Sequence, residues 1–158
     1  QDANQVRAQG AYLRMVSVVE AYIDALSSHS FDLRVDRHDQ LVRLLVAAAE
    51  AGADGTWELR KSAFESYHGV SLGSCKGWHA VDASHAVRNA IAHGLGSLTR
   101  RQRDQKTRSK VRNAGVVLVD DALWITDLSL VRCRDSSATF VRDVDEKVRV
   151  QLRLKARP

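Results

Sequence analysis

The chain has 158 residues, a net charge of +5, one proline and nine glycines, and 44% of its residues are hydrophobic. This length and composition predict a single globular domain, and so few helix breakers favour a mainly α fold over a many-turned sandwich or barrel. No segment is long and apolar enough to span a bilayer and no leader peptide opens the chain, so we expect a cytoplasmic protein without a membrane partner.

The first part of the chain carries two long apolar patterns. Between residues 4 and 26, apolar side chains recur every three to four positions, which predicts an amphipathic first helix. Asp36 or Asp39 is the candidate N-cap of a second helix, whose segment 41–49 is apolar nearly all round and ends before Gly52. A helix without a polar side is expected to lie in the centre of a bundle.

Two further helices are predicted before the middle of the chain. Aromatic and leucine side chains mark a third helix, which ends at Gly69 and is followed by a loop at 71–74. A fourth helix is predicted from about 78 to 95, and a helical wheel divides it into two sides. The side expected in the core carries Ala80, Ala83, Val87, Ala90, Ile91 and Gly94. The opposite side carries Asp82, His85, Asn89 and His93.

The sequence changes character beyond this helical core of 4–96. Segment 97–113 has almost no apolar periodicity and is strongly basic, with Arg100, Arg101, Arg103, Lys106, Arg108, Lys110 and Arg112. Two short apolar runs joined by two aspartates predict a β-hairpin at 115–126. Asp127 is the candidate cap of a C-terminal helix at 127–153.

The side chains that bind metals are few. Cys75 and Cys133 are too few for a disulfide framework or a four-cysteine zinc site, and we expect both to be reduced structural thiols. A metal site built from Asp82, His85 and His93 would span too much helix for one chain. We therefore expect neither a metal nor a cofactor.

The fourth helix carries an arginine, an asparagine and a histidine that together can break a phosphodiester without a metal. Histidine titrates near neutral pH, so His93 is suited to move protons while a ribose 2′-hydroxyl attacks the adjacent phosphate. The planar fork of Arg88 suits the phosphoryl oxygens, and the amide of Asn89 suits the imidazole or the phosphate. The alternative interpretation is a solvated or interface histidine near an unrelated arginine.

The wheel separates Arg88 from His93 by about 140° on one helix. A long arginine side chain must then reach around the helix, or it must meet the histidine of a partner helix. The spacing therefore predicts a dimer as well as a reaction.

The segment Arg88-Asn89-x-x-x-His93 matches the signature of the HEPN ribonucleases, which is an arginine, a polar residue that is most often asparagine, and a histidine four to six residues after the arginine. The chain resembles this family. Its first helix, with Val18-Val19-Glu20-Ala21-Tyr22 in an apolar run, is similar to that of RiboL-PSP and MAE-type HEPN proteins, as is the order of hairpin and terminal helix.

The resemblance implies a HEPN-type helical bundle that dimerises through the motif helices and forms one composite cleft. Such proteins cleave RNA without metal and leave a 2′,3′-cyclic phosphate and a 5′-hydroxyl. Many are toxins or antiviral effectors, so an antitoxin or a larger defence complex is a candidate partner. Some continue the motif with a tyrosine two residues after the histidine; Leu95 stands there in this chain, which puts regulation through that tyrosine in doubt.

Three further residues are candidates for an auxiliary role. Glu20 interrupts an apolar face, and the resemblance suggests that it orients Arg88 or His93, although a surface glutamate is the alternative. His85 and Asp82 precede the motif on the same side of the helix. They either lengthen the cleft or form hydrogen bonds at the helix interface.

The basic segment is the candidate RNA-binding element. Phosphate contacts are expected from Arg100, Arg101, Arg103, Lys106 and Arg108, with a solvated charged surface as the alternative. Trp57, Trp78 and Trp124 are expected to be core or interface anchors, and base stacking is the alternative for each.

The functional prediction is a homodimeric, metal-independent endoribonuclease in which Arg88, Asn89 and His93 act on RNA. Two rivals remain open. One is a non-catalytic HEPN module that binds RNA, a nucleotide or a protein through the same helices. The other is a structural interaction domain of a larger defence protein.

Overall fold

The computed structural model describes residues 2–35, 38–53 and 55–155, and the fold is mainly α, as predicted. Within these residues there are six α-helices and one two-stranded antiparallel sheet, which are α1 (Ala3–Asp32), α2 (Gln40–Ala53), α3 (Trp57–Ala63), α4 (Trp78–Gly94), α5 (Gln105–Asn113), β1 (Val117–Val119), β2 (Ala122–Trp124) and α6 (Asp127–Lys155). A π-helical turn follows α3, and short 3₁₀ turns lie at Leu72–Ser74 and Arg100–Gln102.

The described residues pack as two compact units. The first comprises the chain up to Val19 together with Gly77–Phe140, and the second comprises Glu20–Lys76 together with the chain from Val141. Helices α1 and α6 each contribute to both units. The organisation as a single domain stays a prediction.

The first unit is built around the apolar side of α4. Its core joins α1, α4, α5, the hairpin and α6, and it contains Tyr12, Val16, Ala83, Val87, Ala90, Ile91, Leu98, Val111, Ala114, Val116, Leu123, Ile125 and Cys133. Four of the α4 residues expected in the core are buried, and Ala80 and Gly94 are half-buried. The helical period therefore identified the correct side of α4.

The hairpin confirms the prediction for 115–126. Val117 pairs with Trp124 and Val119 with Ala122, and the two aspartates between the strands both have positive φ, 47° and 69°. Two central residues with positive φ are typical of the type I′ turn, whose twist matches that of the paired strands. Aspartate adopts this conformation more readily than most side chains.

The link after α4 forms a short third row beside β2. Leu123 N–H donates to Gly96 O and Leu98 N–H donates to Asp121 O, both at 2.8 Å, around a bridge between Ser97 and Ala122. The sheet is thus tied directly to the end of the motif helix.

Segment 97–113 contains a helix that the apolar pattern did not predict. Asp104 caps α5 by accepting a hydrogen bond from Thr107 N–H at 2.9 Å, and Val111 is buried in the first unit. Because Val111 is the one buried residue among the nine of α5, the segment shows no repeating apolar pattern. The Asp104 cap and the packing of Val111 stabilise the helix instead.

Helix α6 is not capped by Asp127, contrary to the sequence prediction. Asp127 is the first residue of α6, and the cap is formed one residue earlier: Ser129 N–H donates to Thr126 Oγ1 at 3.2 Å, and Thr126 N–H donates to Ser129 Oγ at 3.1 Å. Ser129 Oγ also donates to Gly115 O at 2.7 Å. The reciprocal Thr126–Ser129 pair satisfies these groups better than the Asp127 carboxylate, which is exposed.

In the second unit, α2 contradicts the prediction that it lies in the bundle centre. Leu41, Leu44 and Leu45 are 64%, 62% and 62% exposed, and Val46 is the one buried residue among those described in α2. Only the stripe through Val46 packs on the unit, because the elements described there cover one side of the helix. Asp39 caps α2 as predicted, with Leu41 N–H donating to Asp39 Oδ1 at 2.7 Å, and the other candidate cap, Asp36, lies outside the described residues.

Polar pairs complete the second unit. Asp24 accepts two hydrogen bonds of 2.8 Å from the buried Arg60 guanidinium, and Ser27 Oγ lies 2.8 Å from Nε2 of the fully buried His68. Helix α1 runs to Asp32, six residues beyond the predicted end, because Phe31 and Ser30 in its last turn are buried. These contacts lie in the unit that does not contain the motif.

Candidate functional site

A glycine with positive φ lies at or next to each cap of the motif helix. Gly77 precedes α4 with φ 81°, and a Cβ atom there would lie 2.9 Å from Ser136 O, so the helix begins against α6 with no room for a side chain. The Trp78 ring lies 5.8 Å from the Phe140 ring at the same contact. At the other end, Gly96 has φ 87°, and a Cβ atom there would lie 2.6 Å from Gln9 Nε2. The C-cap of α4 is the residue before it, Leu95, which has a left-handed φ of 50°.

The buried side of α4 is anchored by Tyr12. Its hydroxyl donates to Ser84 Oγ at 3.0 Å, and burial raises the pKa of Tyr12 well above its ordinary value. Burial also raises the pKa of the neighbouring Cys133 thiol. Both groups therefore stay neutral and structural behind the motif, as expected for Cys133.

The other side of α4 carries a row of polar side chains. Arg88 Nη1 donates to Asn89 Oδ1 at 3.1 Å, and Asn89 Nδ2 lies 3.4 Å from His85 Nδ1, one turn earlier. Arg88 Nε is enclosed and has no hydrogen-bond partner within the described part of the chain. Asn89 thus holds the guanidinium next to it and touches the preceding imidazole.

His93 lies at the open end of this row. It is exposed on the last turn of α4, and no hydrogen bond joins it to Arg88 among the residues that the structure describes. The structure therefore brings Arg88, Asn89 and His85 into contact, and leaves His93 facing outward one turn after Asn89.

A 3₁₀ turn packs directly beside the histidine end of α4. A Cβ atom at Gly94 would lie 3.4 Å from Thr99 Cγ2, which is van der Waals contact between the turn and the helix end. Thr99 N–H donates to Gln102 Oε1 at 3.0 Å and Thr99 Oγ1 donates to the same oxygen at 2.8 Å. The Thr-x-x-Gln spacing is the sequence signal of this cap. Arg100 and Arg101, both exposed, are held next to the end of α4 in this way.

The basic segment divides into paired and unpaired charges. Arg103 Nε lies 3.1 Å from Asp121 Oδ2, Arg108 also pairs with Asp121, and Lys110 Nζ lies 2.6 Å from Asp82 Oδ2. No ion pair is formed within residues 2–35, 38–53 and 55–155 by the remaining four basic residues, Arg100, Arg101, Lys106 and Arg112.

The auxiliary candidates occupy different surroundings. The ion pair with Lys110 fastens Asp82 to α5, and His85 is half-buried beside Asn89. Glu20 is half-buried on the part of α1 that belongs to the second unit. Its predicted role as an orienting partner stays a prediction.

Two buried glutamines that were not predicted contact the residues after α4 and after β2. Gln5 Nε2 donates to Ile125 O at 3.0 Å, and Ile125 N–H donates to Gln5 Oε1 at 2.9 Å. Gln9 lies against Gly96, as described above. They lie four residues apart on α1, so both are on the same side of the helix. Two polar side chains on a side that was predicted to be buried could have identified them in the sequence.

The described residues offer neither a metal-binding cluster nor a membrane-spanning helix. No group of three or more His, Cys, Asp or Glu side chains there is arranged to hold a metal ion. Nor does any described helix combine the length and apolar character that crossing a membrane requires.

Comparisons of the chain with protein family models, with curated proteins and with solved structures found no match. What the chain can do chemically is therefore inferred from the residues of the site. Its elements are a positioned guanidinium and amide, an exposed imidazole one turn later, and unpaired positive charge beside that imidazole.

Proposed function

We propose that this protein is a metal-independent endoribonuclease whose reactive groups are Arg88, Asn89 and His93. The observation that carries the proposal is the arrangement on α4. Asn89 bonds the Arg88 guanidinium at 3.1 Å, and His93 follows one turn later, exposed, on a helix whose opposite side is buried. A rigid helix that presents a cation, an amide and a titratable base to solvent suits phosphodiester chemistry.

In the proposed reaction, the ribose 2′-oxygen forms a bond to phosphorus as the bond to the 5′-oxygen breaks. The proton of the 2′-hydroxyl leaves to imidazole, and the 5′-oxygen receives a proton, so the products are a 2′,3′-cyclic phosphate and a 5′-hydroxyl. His93 moves these protons, and Arg88 binds the phosphoryl oxygens as negative charge redistributes over them. Asn89 positions the guanidinium.

The proposal includes a homodimer through α4. Arg88 and His93 form no hydrogen bond with each other within the described residues, and a second copy of the helix would supply the missing neighbour for each. The exposed side near His93 carries the small side chains Ala86, which is half-buried, and Ala92, which is exposed. Small residues let two helices approach closely. An antitoxin or a larger defence assembly is the partner class that a toxin of this kind implies.

The test is cleavage of single-stranded RNA by the purified chain in EDTA. His93→Ala is expected to lower the rate by about 100-fold or more, because positioned proton transfer contributes about 10²–10⁴-fold. Arg88→Ala is expected to abolish most of the remaining transition-state stabilisation. The matched controls are His79→Ala, an exposed histidine of α4, and Arg14→Ala, an exposed arginine of α1, and both should cleave at the wild-type rate.

The products and the oligomeric state decide between the proposal and its rivals. The 5′ ends of the fragments should accept phosphate from a polynucleotide kinase without prior phosphatase treatment. Undiminished cleavage by both motif variants contradicts the assignment of Arg88 and His93. RNA binding without products indicates a non-catalytic module, and a strict monomer by light scattering removes the composite cleft.

A further inference from the structure

The outward face of the hairpin is apolar and open. Its exposed side chains belong to two cross-strand pairs, Val117 with Trp124 and Val119 with Ala122, while Leu123 points into the core. Trp124 is 47% exposed, whereas the other two tryptophans, Trp57 and Trp78, are 3% and 9% exposed. Trp57 and Trp78 are therefore buried, as expected for core anchors. The Trp124 side chain is at the surface.

Backbone hydrogen bonds tie the hairpin to the link that follows His93 and the end of α4. Leu123, the residue before Trp124, donates to Gly96 O at 2.8 Å, and Gly96 is three residues after His93. Neighbouring rows of a sheet lie about 4.8 Å apart. Trp124 therefore follows a strand residue that is hydrogen-bonded to the link after α4.

Positive charge flanks the same face. Asp121, in the hairpin turn, binds Arg108 of α5, and Arg112 lies one helical turn further along the same side of α5. Arg112 and Lys106 form no ion pair within the described residues, and neither do Arg100 and Arg101 in the turn beside Gly94. Of the two aspartates in the hairpin turn, Asp121 is paired with Arg103 and Arg108, and Asp120 is exposed.

We infer that the outward hairpin face binds single-stranded RNA, with an unpaired base stacked on Trp124 and the adjacent phosphates bound by Arg112, Arg100 and Arg101. This inference rests on the proposed endoribonuclease function, and it adds the surface that holds the single strand. An exposed aromatic ring beside unpaired cations is complementary to a strand with free bases and a charged backbone. A duplex keeps its bases stacked internally and offers no base face to Trp124.

Binding is measured in the His93→Ala background in EDTA, by fluorescence anisotropy with a labelled 12-nucleotide single strand and with the same sequence as a duplex. Trp124→Ala is expected to weaken single-strand binding by about 5- to 150-fold, the range for loss of one base–aromatic stack. Trp124→Phe keeps a stacking ring and retains most of the affinity. Leu128→Ala, an exposed apolar residue elsewhere in the first unit, is the matched control and leaves the affinity unchanged.

The charge component is measured with Arg112→Ala against Arg14→Ala, both exposed arginines. Loss of one phosphate contact reduces the slope of log affinity against log salt by about 0.7 for a single strand. Arg112→Ala is expected to show this reduction and Arg14→Ala is not. An unchanged slope in Arg112→Ala contradicts the assignment of Arg112 to the phosphates.

Three results overturn the inference: unchanged single-strand affinity in Trp124→Ala, equal affinity for duplex and single strand, or loss of a dimer in Trp124→Ala without loss of RNA affinity, which indicates a protein interface. Failure of the proposed function gives a different result. A chain that binds RNA through Trp124 but never yields products contradicts the reaction, whereas cleavage that is indifferent to Trp124 contradicts only the binding route.

Discussion

Gln5→Ala tests whether a buried glutamine holds the hairpin to α1. The wild-type side chain forms two hydrogen bonds with the backbone of Ile125, at 3.0 and 2.9 Å, and Ile125 is only 2% exposed. Each such bond contributes about 0.5–1.5 kcal/mol, and the alanine variant leaves the Ile125 N–H and C=O buried without a partner. The expected loss in the free energy of unfolding is therefore about 2–3 kcal/mol, measured by urea denaturation with fluorescence and circular dichroism.

Two companion variants make the measurement specific. Gln5→Glu keeps an acceptor for the Ile125 N–H but turns a carboxylate oxygen toward the Ile125 carbonyl, so it is expected to destabilise at neutral pH as well. Gln105→Ala removes an exposed glutamine and should change the free energy of unfolding by less than about 0.5 kcal/mol. If Gln5→Ala matches Gln105→Ala, the two hydrogen bonds do not stabilise the hairpin and the reasoning is refuted.

Three further predictions concern ionisable groups. Burial opposes ionisation of Asp143, but hydrogen bonds from the Lys76 N–H and the Lys147 ammonium outweigh it and hold the pKa of Asp143 below its ordinary value of 3.8. The stabilisation is present above that value and is lost as pH falls through the lower folded pKa, so Asp143→Asn is destabilising at pH 7 and the difference disappears in acid denaturation at low pH. Asp24→Ala removes two hydrogen bonds from the buried Arg60 guanidinium and should cost about 1–2 kcal/mol by urea denaturation, because Asp24 itself is partly exposed. Burial raises the pKa of the Cys133 thiol, so alkylation by iodoacetamide at neutral pH should require unfolding.

Each of these has an outcome that contradicts it. An unfolding free energy of Asp143→Asn that runs parallel to the wild type from neutral to strongly acidic pH would show that the carboxylate is not linked to folding. Equal stability of wild type and Asp24→Ala would mean that water solvates Arg60 in the variant. Alkylation of native Cys133 at the rate of a free thiol would place it at the surface.

The parts of the fold that repeat a period were predictable from the sequence. The buried side of α4 follows the helical period, and the hairpin follows two apolar runs around Asp120 and Asp121, which both adopt the positive φ that the turn requires. The position of α2 was not predictable in this way. A helix that is apolar all round does not specify which side finds a neighbour, and only the Val46 side does.

The candidate site was predictable as a list of side chains and not as a set of contacts. The motif spacing placed Asn89 and His85 on one side of α4, and Asn89 Nδ2 lies 3.4 Å from His85 Nδ1. Nothing local to the sequence joins Asp121 to Arg108, or Gly96 to β2, because these contacts depend on how distant segments meet. Their consequence, an exposed Trp124 near the end of α4, became visible only in three dimensions.

The exposed leucines of α2 have a consequence for how the chain loses structure. A 14-residue helix with one buried side chain gains little from packing, and short helices without such packing are marginally stable in water. Its amide hydrogens should exchange through local opening, at a free energy well below that of global unfolding. Each opening would present Leu41, Leu44 and Leu45 together with unpaired backbone groups, so self-association of the purified chain at high concentration should begin in this segment and leave the motif helix folded.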